Sequence, residues 1–169
     1  MGIYPGGHIV RVTPTVETDA YADADVIHHS TEIPGAVSSR GGVSILQAAY
    51  MIDEDSGGVT MNHIFTQKAA VLGTVNATAN ISHADLITSN VIGVMQTSNS
   101  FDTDTDIDNA QITQFSALSG ASESPFYPLM VQAEPDSTSI YFGSIFATGG
   151  DTYTNADALQ FIFHFKYLG

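Results

Sequence analysis

The chain contains no cysteine and no tryptophan, and only four of its 169 residues are basic. Without cysteine there is no disulfide, no thiol nucleophile and no thiolate metal ligand. That absence fits a cytosolic protein and a robust extracellular one equally well. The cations Arg11, Arg40, Lys68 and Lys166 are scattered along a chain of net charge −14. A surface that holds phosphates needs clustered Lys and Arg, so nucleic acid is not an expected partner. No apolar run approaches the ~18 residues of a membrane span. Met1–His8 has neither the basic nor the apolar region of a secretory signal, and no membrane contact is expected. Phosphate loops, dinucleotide fingerprints and the Gly-x-Ser-x-Gly elbow are missing too. No nucleophile is matched with a base, so the expectation is a protein that is not an enzyme and needs no cofactor.

What is present is β-prone. Charged residues make up only 13% of the chain, which leaves a surface of Ser, Thr, Asn and Gly, better suited to strands and loops than to exposed helix. The length suits one domain, with no repeat and no proline-rich linker. Residues 1–12 read as an N-terminal arm and a first short strand, and residues 13–169 as a single β-sandwich domain.

The stretch Gly41–Thr66 reads as a hairpin: two β-prone runs around the acidic, glycine-rich turn Asp53–Gly58. Its first strand is apolar on both faces. Simple alternation puts Leu46, Ala48, Tyr50 and Ile52 on one face and Val43, Ile45, Ala49 and Met51 on the other. A strand apolar on both faces needs cover on both, so Val43, Ile45, Ala49 and Met51 are candidates for a face covered by another subunit. Leu159–Tyr167 shows the cleanest period of two, with Leu159, Phe161, Phe163, Phe165 and Tyr167 on one side. Ile81–Ser89 is the best helix, capped by Ser82 with Asp85 at the third position and Leu86 and Ile87 as the buried side. Ala110–Leu118 is a weaker strand. About eight strands and one short helix suggest an all-β, jelly-roll-like antiparallel β-sandwich, with a small closed barrel as the alternative.

Few residues suggest chemistry. His28, His29 and Glu32 have metal-capable types but lack a third convergent ligand, and read as surface groups near a loop. His63 and His164 fall mid-strand and read as packed histidines. Asp102, Asp104, Asp106 and Asp108 begin with the rhythm of a calcium loop. However, the sixth position is Ile107 rather than Gly and the twelfth is Thr113 rather than Glu, so they read as a solvated acidic loop that remains a candidate for a cation. Asp53, Glu54 and Asp55 read as ordinary turn acids.

The segment Thr13-Pro-Thr-Val-Glu-Thr-Asp-Ala-Tyr-Ala-Asp-Ala-Asp-Val-Ile27 resembles the opening of a group of small virion structural proteins of tailed bacteriophages. There a Pro-Thr-x-x-Thr-x-Ala-Tyr-x-Asp-Gly-Asp-Val segment leads into a Gly-Gly strand; here Ala24 stands at the glycine. Gly41-Gly-Val-Ser-Ile-Leu-Gln47, the acidic turn, Ile81-Ser-His-Ala-Asp85 and the final aromatic strand follow in the same order, while residues 99–138 match nothing. The resemblance implies a capsid decoration, or cement, protein. Such proteins commonly sit as trimers on the outer surface of the head and clamp the major capsid protein against DNA pressure. The partners it implies are the major capsid protein and a homotrimer of the chain itself, with no catalytic residues. The arm residues Met1, Gly2, Ile3 and Tyr4 are candidates for extension onto a neighbour. A carbohydrate- or receptor-binding β-module of a tail fibre or tailspike is the alternative from another class, since the fold does not separate them.

Overall fold

A computed structural model of the chain describes residues 6–55, 57, 59–97, 105–107, 110–117 and 128–168. Met1, Gly2, Ile3 and Tyr4 lie outside the described residues, as do Asp102, Asp104 and Asp108; Asp106 is described only as backbone within a short strand. Eleven strands and one helix are described. They are β1 (Gly7–Val12), β2 (Val26–Ile33), β3 (Val43–Asp53), β4 (Thr60–Thr66), α1 (His83–Ser89) and β5 (Val91–Thr97), then β6 (Thr105–Ile107), β7 (Ala110–Gln114), β8 (Ser116–Ala117), β9 (Leu129–Gln132), β10 (Ile140–Thr148) and β11 (Leu159–Tyr167).

These strands form two antiparallel sheets. The first runs β1-β11-β3-β7-β6, with β9 also on β3; the second runs β2-β10-β4-β5-β8. The pairing is nested. The first strand pairs the last, the second pairs the next to last, the third pairs β7 and β9, and the fourth pairs the fifth. Such nesting is the wrapping of a jelly roll, so the expected all-β sandwich is the fold observed.

Between the sheets lies an aromatic core. Phe65, Phe115, Phe142, Phe146, Phe161, Phe163 and Phe165 are all fully buried. Phe142 meets Phe161 and Phe163 edge-on at 4.9 and 5.2 Å, the arrangement that ring quadrupoles favour. β11 supplies three of these rings because its alternation is unbroken, as its sequence predicted.

Three expectations need correction. First, β3 and β4 are not a hairpin. β3 belongs to the first sheet and β4 to the second, so the acidic turn carries the chain from one layer to the other. A glycine-rich turn between two β-prone runs says that the chain bends, not which neighbour each run finds. Second, β3 does not alternate throughout. Its register against β11 slips between Leu46 and Ala48, opposite Phe165 and His164, leaving Gln47 as an extra residue. This β-bulge inverts the phase. Ser44, Leu46, Ala49, Met51 and Asp53 point into the core, while Val43, Ile45, Ala48, Tyr50 and Ile52 point out. Val43 and Ile45 therefore lie on the outer face as expected, but Ala49 and Met51 are core residues. Third, α1 has the predicted Ser82 cap, whose side chain accepts from the Asp85 backbone NH, but Ile87 is exposed and Ser89 is the residue the helix buries.

The weaker strand predicted at Ala110–Leu118 is split at Phe115. β7 lies in the first sheet and β8 in the second, and the Phe115 ring fills the core where the chain crosses.

Candidate interaction face and the buried groups beneath it

The Thr13–Ile27 segment contains a self-supporting turn. Tyr21 Oη accepts from the Glu17 NH at 2.7 Å and donates to the Ile27 carbonyl at 3.0 Å. Asp25 Oδ2 accepts from the Ala22 NH at 2.8 Å. Between them Ala24 adopts φ 65°, a left-handed conformation that favours glycine. The position where the resembled sequences carry Gly is thus a position where the backbone asks for one. Burial raises the Tyr21 phenol above its ordinary range, which keeps it a donor.

The histidines resolve into different roles. His28 was expected near the surface but is fully buried, whereas His29 and Glu32 of the same strand are exposed. Two one-residue slips in β2 against β10 flank His28, so simple alternation fails again. His28, Ser144 and His63 form one row across β2, β10 and β4. Ser144 Oγ is 2.8 Å from His28 Nε2 and 2.8 Å from His63 Nδ1, and His63 Nε2 is 2.9 Å from Thr97 Oγ1. His28 Nδ1 is 2.8 Å from the His29 carbonyl.

With both rings neutral, the proton directions follow from that carbonyl. A carbonyl only accepts, so His28 Nδ1 donates to it and His28 Nε2 must accept from Ser144. Ser144 in turn accepts from His63 Nδ1, and Thr97 donates to His63 Nε2. Every ring nitrogen is satisfied with the rings neutral. Burial lowers His28 to about 4 and His63 well below the usual imidazole value. A serine between two histidines suggests an activated nucleophile, but Ser144 is 0% exposed, and its partners His28 and His63 pack against Phe142 and Phe161. In this fold the row is a polar brace inside the second sheet.

At one end of the sandwich the acidic turn is tied down. Asp53 Oδ1 accepts from the Asp55 NH at 2.9 Å, the turn chemistry expected of it. Asp55 accepts from Thr154 NH and Oγ1 at 2.9 and 2.7 Å, linking the β3–β4 turn to the β10–β11 loop. Asp53 is fully buried, and burial raises its carboxyl to about 6. Burial also raises Asp151 and Tyr153. Among the described residues no three His, Asp or Glu side chains converge closely enough to hold a metal ion, which applies to this turn and to His29 and Glu32 alike.

The two outer faces of the sandwich differ. Over part of the second sheet the chain packs its own cover: Leu72, from the β4–α1 connection, sits directly against Gly143 of β10, while Val94 of β5 stays exposed. Over the first sheet α1 comes up to the Val43 end, where Leu86 and Ile87 line a groove with Val43 and Met130. The outer face of this sheet presents Ile9, Ile45, Ala48, Tyr50, Ile52, Ile112, Ile162 and Met130, with Arg11, His164 and Lys166 among them. Tyr50 and His164 pack edge-on at 5.6 Å. Among the described outward side chains of this sheet there is no Asp or Glu. In a chain of net charge −14, two of the four cations stand on this one face. Lys68, by contrast, is paired with Glu134 at 3.2 Å. An apolar, acid-free face on an acidic protein is the chemistry of a protein-binding surface, since charged residues are depleted at interface cores.

No protein-family model matches the chain, and no curated protein is detectably similar to it. No helix among the described residues is long and apolar enough to cross a membrane.

Proposed function

We propose that this chain is a non-enzymatic structural protein of a bacteriophage head: a decoration protein that seats the outer face of its first sheet on the outer surface of the capsid shell. The single observation that carries the reading is that face, apolar and with no Asp or Glu among its described outward side chains. The sequence resemblance gives the reading its biological setting, and the left-handed Ala24 in the resembled turn supports it. The partner is the major capsid protein. Neighbouring copies associate as a homotrimer, so many weak contacts act together on the shell. Net charge −14 suits the outside of a DNA-filled shell better than the inside.

Capsid shells stripped of this protein provide the test. Purified chain should run as an oligomer and co-sediment with such shells in saturable stoichiometry. A monomer that stays in the supernatant, or that binds a glycan array instead, would sink the proposal.

A further inference from the structure

Where β3 turns toward β4, three buried oxygens have no hydrogen-bonding partner: Asp53 Oδ2, Asp151 Oδ2 and Tyr153 Oη. Asp53 is 0% exposed and Tyr153 1%. Asp53 closes β3, while Asp151 and Tyr153 stand on the loop between β10 and β11. Turn and loop are packed without spare room, because the Asp151 carboxylate occupies the space that a Cβ on Gly57 would need.

The groups that meet here are nearly all acidic. Asp53 faces Asp55 from its own turn and Asp151 from the loop. Tyr153 faces all three carboxylates, with the Tyr21 ring edge-on behind it at 5.8 Å. No Lys, Arg or His among the described residues acts on them. The only donors to the two buried carboxylates are backbone NH groups: those of Asp55 and Gly57 for Asp53, and that of Thr152 for Asp151. A buried carboxylate with an orphaned oxygen and no cation is more stable protonated, because the acid form is neutral and its O–H can donate. Two that face one another resist being ionised together. No three of these acids converge closely enough to hold a metal ion, so a proton is what relieves the repulsion. Burial, then the charges of Asp151 and Asp55, raise Asp53 to about 6, and burial raises Asp151 as well.

The loop has a hinge at its start. Gly149 has φ 72° and open space where a side chain would be, a conformation that other residues rarely adopt. Beyond the hinge the loop is held by few bonds. Asp55 accepts from Thr154, the Glu54 NH donates to the Ala158 carbonyl at 3.1 Å, and the Tyr21 NH donates to the Asp151 carbonyl at 2.8 Å. The Val16 NH donates to the Ala156 carbonyl at 2.9 Å. We propose that loop 149–158 is a proton-operated latch, closed on the acidic turn while Asp53 and Asp151 hold a proton and lifting as that proton is lost. Lifting gives the carboxylates water and separates their charges. Asp53 pairs with Leu159, so the latch sits at the end of β3 and β11, and it works in the free protein without any shell. A raised folded value means that closure is fully favoured below pH 3.8 and that the preference is lost as pH rises through 6. Between pH 5 and pH 8 opening becomes about tenfold easier.

Hydrogen exchange of the full chain, read by mass spectrometry at pH 5 and pH 8 and corrected for the intrinsic rate at each pH, tests the latch. Amides of loop 149–158 and of Tyr21 should lose about tenfold in protection at pH 8. Core amides of β10, from Phe142 to Phe146, should lose none. Asp53→Asn, which cannot ionise, should protect the loop equally at both pH values. Asp151→Asn, which removes the repelling charge, should shrink the loss. Circular dichroism checks that both variants fold. Equal loop protection at the two pH values in the wild type would overturn the proposal. So would an undiminished loss in both variants, or a loss shared evenly by loop and core, which is global unfolding. Shell binding is measured separately, so the latch and the outer sheet face can fail independently.

Discussion

Acid should unfold this protein through its buried histidines, and the size of the effect follows from the brace in the second sheet. Glutamine at His28 is the informative perturbation. The His28 ring titrates at about 4 in the folded chain against 6.5 when unfolded. A depressed folded value means stability that is present above pH 6.5 and is lost as pH falls toward 4. Between pH 7 and pH 5 that loss is roughly 2 kcal/mol from His28 alone. Asp53 works in the opposite direction. Its folded carboxyl is raised from 3.8 to about 6, so its contribution is full below 3.8 and is lost as pH rises through 6. Over the same interval it returns about 1 kcal/mol on acidification. Urea titrations at pH 7, 6 and 5 read the difference between variant and wild type, which cancels the other carboxylates. Asp53→Asn should steepen the acid loss by about 1 kcal/mol, and His28→Gln should flatten it by about 2 kcal/mol despite a lower stability at pH 7. Parallel profiles for all three proteins would refute the reasoning, because they would mean that neither buried group changes its proton occupancy on folding.

Two further outcomes test local structure. Ala24→Gly should raise stability by about 1 kcal/mol, because it relieves a left-handed residue in the Tyr21–Asp25 turn; a loss in thermal melting would count against that strain. Ser144→Ala should cost about 2–4 kcal/mol in urea unfolding, because it leaves one nitrogen on each of two buried imidazoles without a partner, and a neutral result would mean that the brace is dispensable.

How much of this was legible in the sequence depended on whether a rule stayed local. β11 alternates without interruption, so its core face was readable from Leu159 to Tyr167. The Ser82–Asp85 cap was readable because both partners lie within one turn. β3 was not, because one unpaired residue at Gln47 exchanges the two faces and nothing in Leu46-Gln-Ala48 marks a bulge. The apparent hairpin failed because partner choice is non-local: β3 takes β11, from Asp53 with Leu159 to Ser44 with Tyr167, and β4 takes β10, from Thr66 with Tyr141 to Thr60 with Thr148. The buried histidine row spans Ser144 and residues on three other strands, and no sequence spacing encodes it. The one hint was that His63 sits inside a β-prone run rather than at its end. On the candidate face, Val43 and Ile45 were found from sequence, while Ala48, Tyr50 and Ile52 took the places assigned to Ala49 and Met51.

The outer face of the first sheet is the centre of the functional reading, and one paired measurement bears on it most directly. Tyr50→Asp places an acid in the middle of that face, and Val71→Asp places one on an exposed apolar site elsewhere. Val71→Asp should cost roughly 1 kcal/mol or less, as exposed positions do, whereas Tyr50→Asp removes a half-buried ring and its His164 contact, so circular dichroism checks that it folds. In co-sedimentation with capsid shells that lack this protein, the prediction is that Val71→Asp binds like wild type and Tyr50→Asp stays in the supernatant. Equal binding by the two variants would contradict it.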